Sequence, residues 1–272
     1  MSIKLIASDL DGTLMAPDHI TVTERTYNAL RAAHDRGVKL AIATGRTLGF
    51  TGNVTEQLPF TDYVIYSNGA AVYDRNQSKV IYKNHISPEI TEDILSLLSS
   101  MKLYYNCYVD GKIYVQRDKV QYYKNRSLPQ EFLDLFVACS VECEDMHSML
   151  RGKSAEIIAM YSLSEEQERR LTDRFRLHGL HVTSSLEGEL EVTAPSVNKG
   201  TAIAGLCEAA GFSKNEVMCF GDALNDLEML EFAKHSVAMG NAAEKCKEAA
   251  RHITTTNAED GVARAVEELV LK

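Results

Sequence analysis

The sequence predicts an α/β protein, a doubly wound parallel sheet with a separate α+β unit inserted into it, and three observations carry that prediction. Short apolar runs at residues 3–7, 38–43, 63–66 and 217–220 are nearly continuous rather than alternating, which suits strands buried on both faces. The first three are separated by helical patterns, giving the strand–helix–strand rhythm of a parallel sheet. From Ala70 that rhythm gives way to hairpin signals and returns only after about residue 193. The expected organisation is a core built from residues 1–83 and 194–272, with an α+β domain at 84–193.

The first run leads into Ser8-Asp9-Leu10-Asp11-Gly12-Thr13-Leu14, where Gly12 marks a turn and two carboxylates leave the end of one strand together. Buried side by side they repel, unless a cation or a reacting group uses them. By composition alone D-x-D-G-T arises at roughly one position in 10⁵. Thr21 and Glu24 have the spacing of a capping box, and Tyr27, Leu30 and His34 share a helical face that ends near Gly37. Val38 to Ala43 then reads as a buried strand ending in Thr44-Gly45-Arg46. A weaker helical stretch at 48–58 precedes a third strand, Tyr63-Val64-Ile65-Tyr66, which ends at Ser67-Asn68-Gly69. Ligands of such sheets bind at the carboxyl ends of the strands, so the turns at Asp9, Thr44 and Asn68 are expected on one rim.

After Ala70, Val72-Tyr73 and Val80-Ile81-Tyr82 flank a hairpin turn at Asp74-Arg75-Asn76, and Ser87-Pro88 reads as the start of a helix over 90–101. Asp110-Gly111 is the preferred turn of a tight antiparallel hairpin between 105–109 and 112–116. Ser164 and Gln167 cap a charged helix that ends at Gly179. The inserted unit's tyrosines suit sheet packing, and stacking on a substrate is the alternative. Ala194-Pro195-Ser196 is the expected return hinge, after which Asn198-Lys199-Gly200 opens an apolar helix and places a lysine near its N-terminus. Val217 to Phe220 is a further buried strand, ending in Gly221-Asp222-Ala223-Leu224-Asn225-Asp226. Two more strands, at 236–239 and 252–255, and a helix over 259–270 close the chain.

Composition narrows the partners. With 272 residues and a net charge of −9, the chain repels nucleic acid and anionic membranes at long range, so neither is expected as a partner. No apolar run approaches a membrane span and no signal peptide is evident, which points to a cytoplasmic protein. Six cysteines without a C-x-x-C pair fit a reducing compartment. Cys139, Cys143 and His147 recur every four residues and are read as neighbours on one helix face, packed there rather than holding zinc. Nothing in the sequence determines the oligomeric state.

Each polar turn has a bland explanation taken singly; together they have complementary chemistry. Asp9 is the candidate nucleophile, a carboxylate able to form an aspartyl-phosphate. Asp11 is the candidate general acid and base, protonating the leaving oxygen and then activating water. Mg²⁺, held by Asp9, the Asp11 carbonyl and Asp222, would offset the crowded negative charge. Lys199, the Thr44 hydroxyl and the Gly45 amide would bind phosphate oxygens.

These motifs resemble the haloacid dehalogenase superfamily of phosphohydrolases, in the order found in its Cof-type sugar-phosphatase branch. Asp9-Leu10-Asp11-Gly12-Thr13, Thr44-Gly45-Arg46, Lys199 within Asn198-Lys199-Gly200, and Gly221-Asp222 through Asn225-Asp226 are similar to its four motifs. Further matches are Ser67-Asn68-Gly69-Ala70, Val237-Ala238-Met239-Gly240-Asn241 and Glu259-Asp260-Gly261-Val262-Ala263. The resemblance implies a Rossmann-like core with an α+β cap between the second and third motifs. It also implies that Asn225 contacts phosphate and Asp226 supports the metal shell, with Arg46 and Asn68 beside Gly45 on the substrate. The Ala223-Leu224 pair is more apolar than the family usually carries there. The expected substrate is a small phosphorylated metabolite, a sugar phosphate in this branch. A phosphomutase using the same phospho-aspartate and a noncatalytic phosphate-metabolite sensor are the rival readings.

Overall fold

Leu5–Ser8 forms β1, whose four residues are all buried, as a strand covered on both faces must be. In the computed structural model, which describes residues 3–117, 130–183 and 187–272, it lies inside an eight-stranded sheet. The others are β2 (Lys39–Ala43), β3 (Tyr63–Tyr66), β4 (Ala71–Asp74), β5 (Lys79–Lys83), β12 (Val217–Gly221), β13 (His235–Ala238) and β14 (His252–Ile253). Their order is β14-β13-β12-β1-β2-β3-β4-β5. Pairing is parallel from β14 to β3, as the sequence predicts, whereas β4 and β5 add antiparallel at one edge. The sheet is therefore mixed. The connection from Tyr66 to Ala71 is too short for a crossover helix, so β4 can only return beside β3.

The chain divides into two units, Met1–Lys83 with Asn198–Lys272, and Asn84–Val197. In the first, helix Glu24–Asp35 packs on Gly261–Leu269 and helix Lys199–Ala210 on Leu227–Phe232, and one apolar core runs through helices and strands. Each leucine or isoleucine enclosed there contributes about 1.5–3 kcal/mol. The first helix starts two residues later than its sequence signal suggests. Thr23, not Thr21, accepts from the Thr26 amide, because Asp18 already takes the Thr21 hydroxyl and amide. The stretch at 48–58 splits into a 3₁₀ turn, Leu48–Thr51, and a short helix, Gly52–Gln57.

The second unit has its own sheet of β6 (Tyr104–Val109), β7 (Lys112–Gln116), β8 (Ser140–Cys143), β9 (Ile157–Tyr161), β10 (His181–Thr183) and β11 (Leu190–Thr193), ordered β10-β11-β9-β6-β7-β8. Asp110 and Gly111 take φ of +50° and +72°, as the tight turn between β6 and β7 requires. Ser87 and Ser164 cap the helices Pro88–Ser100 and Glu165–Leu177 as their sequence signals indicate. One pair, β7 with β8, is parallel rather than antiparallel, since helix Gln130–Ala138 lies in the crossover between them. Cys139, Cys143 and His147 do not share a helix. Cys139 follows one helix, Cys143 ends β8, and His147 sits in the short helix Met146–Met149, with its Nε2 3.0 Å from Ser96 Oγ. The four-residue spacing is thus broken by a strand. Tyr104 and Tyr161 pack ring to ring at 5.1 Å across neighbouring strands, the sheet-packing role expected of the tyrosines.

Candidate active site

Because β1 and β12 are parallel neighbours, the residues that follow them emerge side by side. Asp9 continues the ladder, its amide donating to the Phe220 carbonyl at 3.0 Å. Asp222 follows β12, and its Oδ1 accepts from the Thr13 hydroxyl at 2.6 Å. Gly12 makes that approach possible. It takes φ of +87°, and a Cβ there would collide with the Asp222 carboxylate.

Lys199 enters from the helix that Asn198 caps, the Asn198 side chain accepting from the Thr201 amide at 2.7 Å. A Cβ at Gly69, φ +95°, would run into the Asn198 carbonyl, so a glycine lets the third rim turn seat against the start of this helix. The Lys199 ammonium is wholly buried and donates to Asp9 Oδ1 and Asp226 Oδ1, both at 2.6 Å. Burial opposes its charge, but the two carboxylates prevail and hold its pKa above the ordinary lysine value. Asp226 Oδ2 accepts from the amides of Asp222 and Ala223 at 2.9 and 3.0 Å, so both its oxygens are engaged.

Burial pushes the Asp9 carboxyl well above the usual carboxylate range, with Asp226 and Asp222 adding to the shift and Lys199 opposing it. Burial likewise raises Asp222 to about 6, against the Thr13 hydrogen bond. Oxygens of Asp9, Asp222 and Asp226 lie within 4.8 Å of one another, and one ammonium cannot neutralise three carboxylates. Among the described residues nothing donates to the second oxygens of Asp9 and Asp222. This is an all-oxygen donor set with excess negative charge, and it can hold a hard divalent cation.

Asp11 faces a different environment. Arg46 grips it with two bonds, Nη2 to Oδ1 at 2.6 Å and Nε to Oδ2 at 3.0 Å, and His19 Nδ1 lies 2.9 Å from Oδ1. Burial alone would raise its pKa; the bonds from His19 and Arg46 outweigh it and bring Asp11 down to about 2. The guanidinium also stacks 4.9 Å over the Phe50 ring. Arg46, expected at the substrate, is thus occupied by Asp11 in this structure. Thr44 is buried, its hydroxyl accepting from the Arg46 amide at 3.1 Å and its carbonyl from the Asn68 amide at 3.0 Å. Asn225 Nδ2 donates to Asn68 Oδ1 at 3.1 Å, and a Cβ on Gly45 would come to 3.0 Å of that same oxygen.

The structure therefore gathers the expected residues into three adjoining groups: Asp9, Lys199, Asp222 and Asp226; Thr44, Gly45, Asn68 and Asn225; and Asp11 with Arg46. Sequence reasoning passed over Thr13, inside the acidic motif but given no role, and His19. A lone histidine in a polar loop carries no periodicity or spacing that would single it out. Asn241 is another omission, its side chain donating to the Gly12 carbonyl at 2.8 Å while the Asn257 amide donates to Asn241 Oδ1 at 3.1 Å.

Comparison with known proteins gives the same picture. The family model for haloacid dehalogenase-like hydrolases matches residues 6–266. A Bacillus subtilis protein, 5-amino-6-(5-phospho-D-ribitylamino)uracil phosphatase YcsE, is 31% identical over 278 residues, covering 100% of this chain and 97% of its own length. A solved haloacid dehalogenase-like hydrolase from Bacteroides thetaiotaomicron superposes with a TM-score of 0.83 at 27% identity, covering 98% of this chain and 100% of its own. The sugar phosphatase BT4131, described as subclass IIB, does so with a TM-score of 0.79 at 27% identity, covering 99% and 100%. With the acidic cluster in place and the family model spanning nearly the whole chain, this protein is an enzyme of the haloacid dehalogenase-like hydrolase family, close to its Cof-type branch.

Proposed function

We propose that this chain is a Mg²⁺-dependent phosphatase of small phosphate monoesters, acting on sugar or sugar-alcohol phosphates through a phosphorylated Asp9. The observation that carries the reading is the buried cluster in which Lys199 bridges Asp9 and Asp226 while Asp9 and Asp222 each keep an uncommitted oxygen. A nucleophile beside a fixed ammonium and an unsatisfied cation site is what phosphoryl transfer needs, since its catalysis is mostly positioning and charge stabilisation. Asp9, Asp222 and the Asp11 carbonyl would hold the ion, and Asp226 would act behind them by fixing Lys199 and the 222–223 backbone. When bound, Mg²⁺ would neutralise part of the charge shared by carboxylate and phosphate.

An Asp9 oxygen attacks phosphorus as the ester P–O bond breaks, and Asp11 gives its proton to the departing alkoxide. Asp11, now a carboxylate, takes a proton from water, whose oxygen attacks the phospho-aspartate; phosphate leaves and Asp9 is regenerated. In the arrangement described Asp11 is ionised, the form that accepts a proton. A phosphate dianion entering beside it raises its proton affinity, because like charges disfavour ionisation. Lys199, the Thr44 hydroxyl and the Gly45 amide hold phosphate oxygens, with Asn68 and Asn225 on the same side.

The substrate class draws on the ribityl phosphate in one relative's name and the sugar phosphatase among the similar structures. Phosphate release with Mg²⁺ over sugar phosphates, 5-amino-6-(5-phospho-D-ribitylamino)uracil, nucleotides, flavin mononucleotide and pyridoxal phosphate tests it. The highest kcat/KM should fall on an ester of a polyhydroxylated chain. A clear preference for nucleotides would refute the substrate class, and release from none of the panel would refute the phosphatase reading.

A further inference from the structure

We infer that His19 is a positioning residue for Asp11, holding the carboxylate in place for its exchange of protons with the leaving group and with water. The inference rests on the reading of Asp11 as general acid and base. Three bonds close a ring: His19 Nδ1 to Asp11 Oδ1 at 2.9 Å, Asp11 Oδ1 to Arg46 Nη2 at 2.6 Å, and Arg46 Nη2 to the His19 carbonyl at 2.9 Å. His19 thus addresses Asp11 twice, by its ring directly and by its backbone through the guanidinium. Its backbone takes φ of +62°, the left-handed conformation that few non-glycine residues adopt and that histidine, with asparagine and aspartate, adopts more readily than most. That turn lets ring and carbonyl of one residue reach the same pair of partners.

The arrangement matters because Arg46 alone does not prescribe where Asp11 stays. A phosphate dianion competes for the same guanidinium, and a carboxylate released from Arg46 keeps its place only if a second donor holds it. His19 is that donor. It approaches from the acidic turn's own loop, eight residues along the chain from Asp11, and so does not depend on the substrate. A proton donor displaced by about 1 Å can lose on the order of 10²-fold in rate.

The test separates positioning of the acid from general support of the fold. His19→Gly removes the ring while tolerating the positive φ; His19→Asn also tolerates it and offers an N–H donor near the position of Nδ1. Steady-state kinetics are measured with p-nitrophenyl phosphate, whose leaving group needs little protonation, and with a hexose 6-phosphate, whose alkoxide needs it fully. Asp11→Asn is the reference, and thermal unfolding is followed for every variant. With the hexose phosphate, His19→Gly should lower kcat/KM, which reports formation of the phosphoenzyme, roughly tenfold or more, and with the aryl ester by no more than about threefold. His19→Asn should recover most of the loss, and Asp11→Asn should show the same leaving-group dependence, more strongly. Equal losses on both esters in His19→Gly, or none, while Asp11→Asn remains leaving-group dependent, would overturn the role of His19 and leave Asp11 standing. Equal losses on both esters in Asp11→Asn would overturn the acid assignment and the inference with it.

Discussion

The core unit sets a lysine–aspartate group at each end of its parallel strands, and the two are built on opposite principles. At the amino end, Asp62 precedes β3 and is 3% exposed. It accepts from Lys39 Nζ at 2.8 Å, Asn76 Nδ2 at 3.0 Å and the Leu40 amide at 3.0 Å, with His34 Nε2 at 3.4 Å. Donors there match the acceptor, one carboxylate against one ammonium and several neutral groups. At the carboxyl end, Lys199 serves two aspartates and a third stands beside them. The first group is a pin that orders the ends of β2 and β3. The second is short of positive charge, and in the function proposed that shortage is what a cation and a phosphoryl group would exploit. Burial of an acid is therefore no sign of function by itself; burial with unbalanced charge is.

The contrast is broken most severely at Asp9, the proposed nucleophile. Asp9→Asn should abolish turnover, by at least ~10³-fold, because a neutral amide is a poor nucleophile and a weaker metal ligand. Rapid acid quench and intact mass should find phosphate on Asp9 in the Asp11→Asn protein and none in the Asp9→Asn protein. Normal turnover in the latter would remove the carboxyl-end cluster from the chemistry altogether.

Removing the cation comes next. Excess chelator should abolish phosphate release and added Mg²⁺ should restore it. Mg²⁺ at about 100 times its Kd should also stabilise the fold by ~2.7 kcal/mol, by mass action. That shift should persist in Asp62→Asn and vanish in Asp222→Asn, as read from denaturant midpoints with and without the ion. An equal shift in both variants would mean that the ion binds elsewhere.

Charge balance itself predicts opposite signs for two substitutions of the same kind. Asp62→Asn should destabilise the metal-free protein by about 1 kcal/mol, since it weakens the charge-assisted bond to the buried Leu40 amide, while Lys39 and Asn76 remain open to solvent. Asp222→Asn should stabilise it by ~1 kcal/mol, because it removes one of three crowded charges. Urea unfolding without metal measures both. Destabilisation by the second variant would show that the cluster is already balanced.

The smallest effect is on pH. Burial first, and then Asp226, hold the native Asp222 pKa at about 6, above the ordinary carboxyl value of 3.8. Between those values the folded state binds more protons than the unfolded one, so metal-free stability should decline as pH rises from about 4 to 6. Asp11 has the opposite sign: its pKa lies at about 2, so its contribution is present above 3.8 and fades as pH falls toward 2. Denaturant midpoints across pH should follow the first trend without metal and show it weakened in Asp222→Asn, where the raised Asp9 carboxyl still contributes. An identical pH profile in wild type and Asp222→Asn would contradict the raised pKa.

The sequence by itself determined the strands, because continuous apolar runs have few other ways to be buried, and it determined the residues that end them. Thr44-Gly45-Arg46, Asp222 and Lys199 were legible since each sits where a strand stops or a helix starts, and the peptide chain marks those places with glycine and capping groups. The Asp110-Gly111 hairpin and the Ser164 cap were legible for the same local reason. Tertiary structure alone decided what depends on partners distant in sequence. Thr23 rather than Thr21 caps the first helix because Asp18 claims Thr21, and the Cys139, Cys143 and His147 spacing is cut by a strand whose partner is β7. The different surroundings of Asp9 and Asp11, on which their proposed roles rest, belong here too. The two are alike in sequence, but the fold gives Asp9 a bridging ammonium from a helix 190 residues away and gives Asp11 a guanidinium and a histidine. Residue type and spacing record what a side chain can do; which charges surround it, and hence its protonation and its role, is settled only when the chain has closed around it.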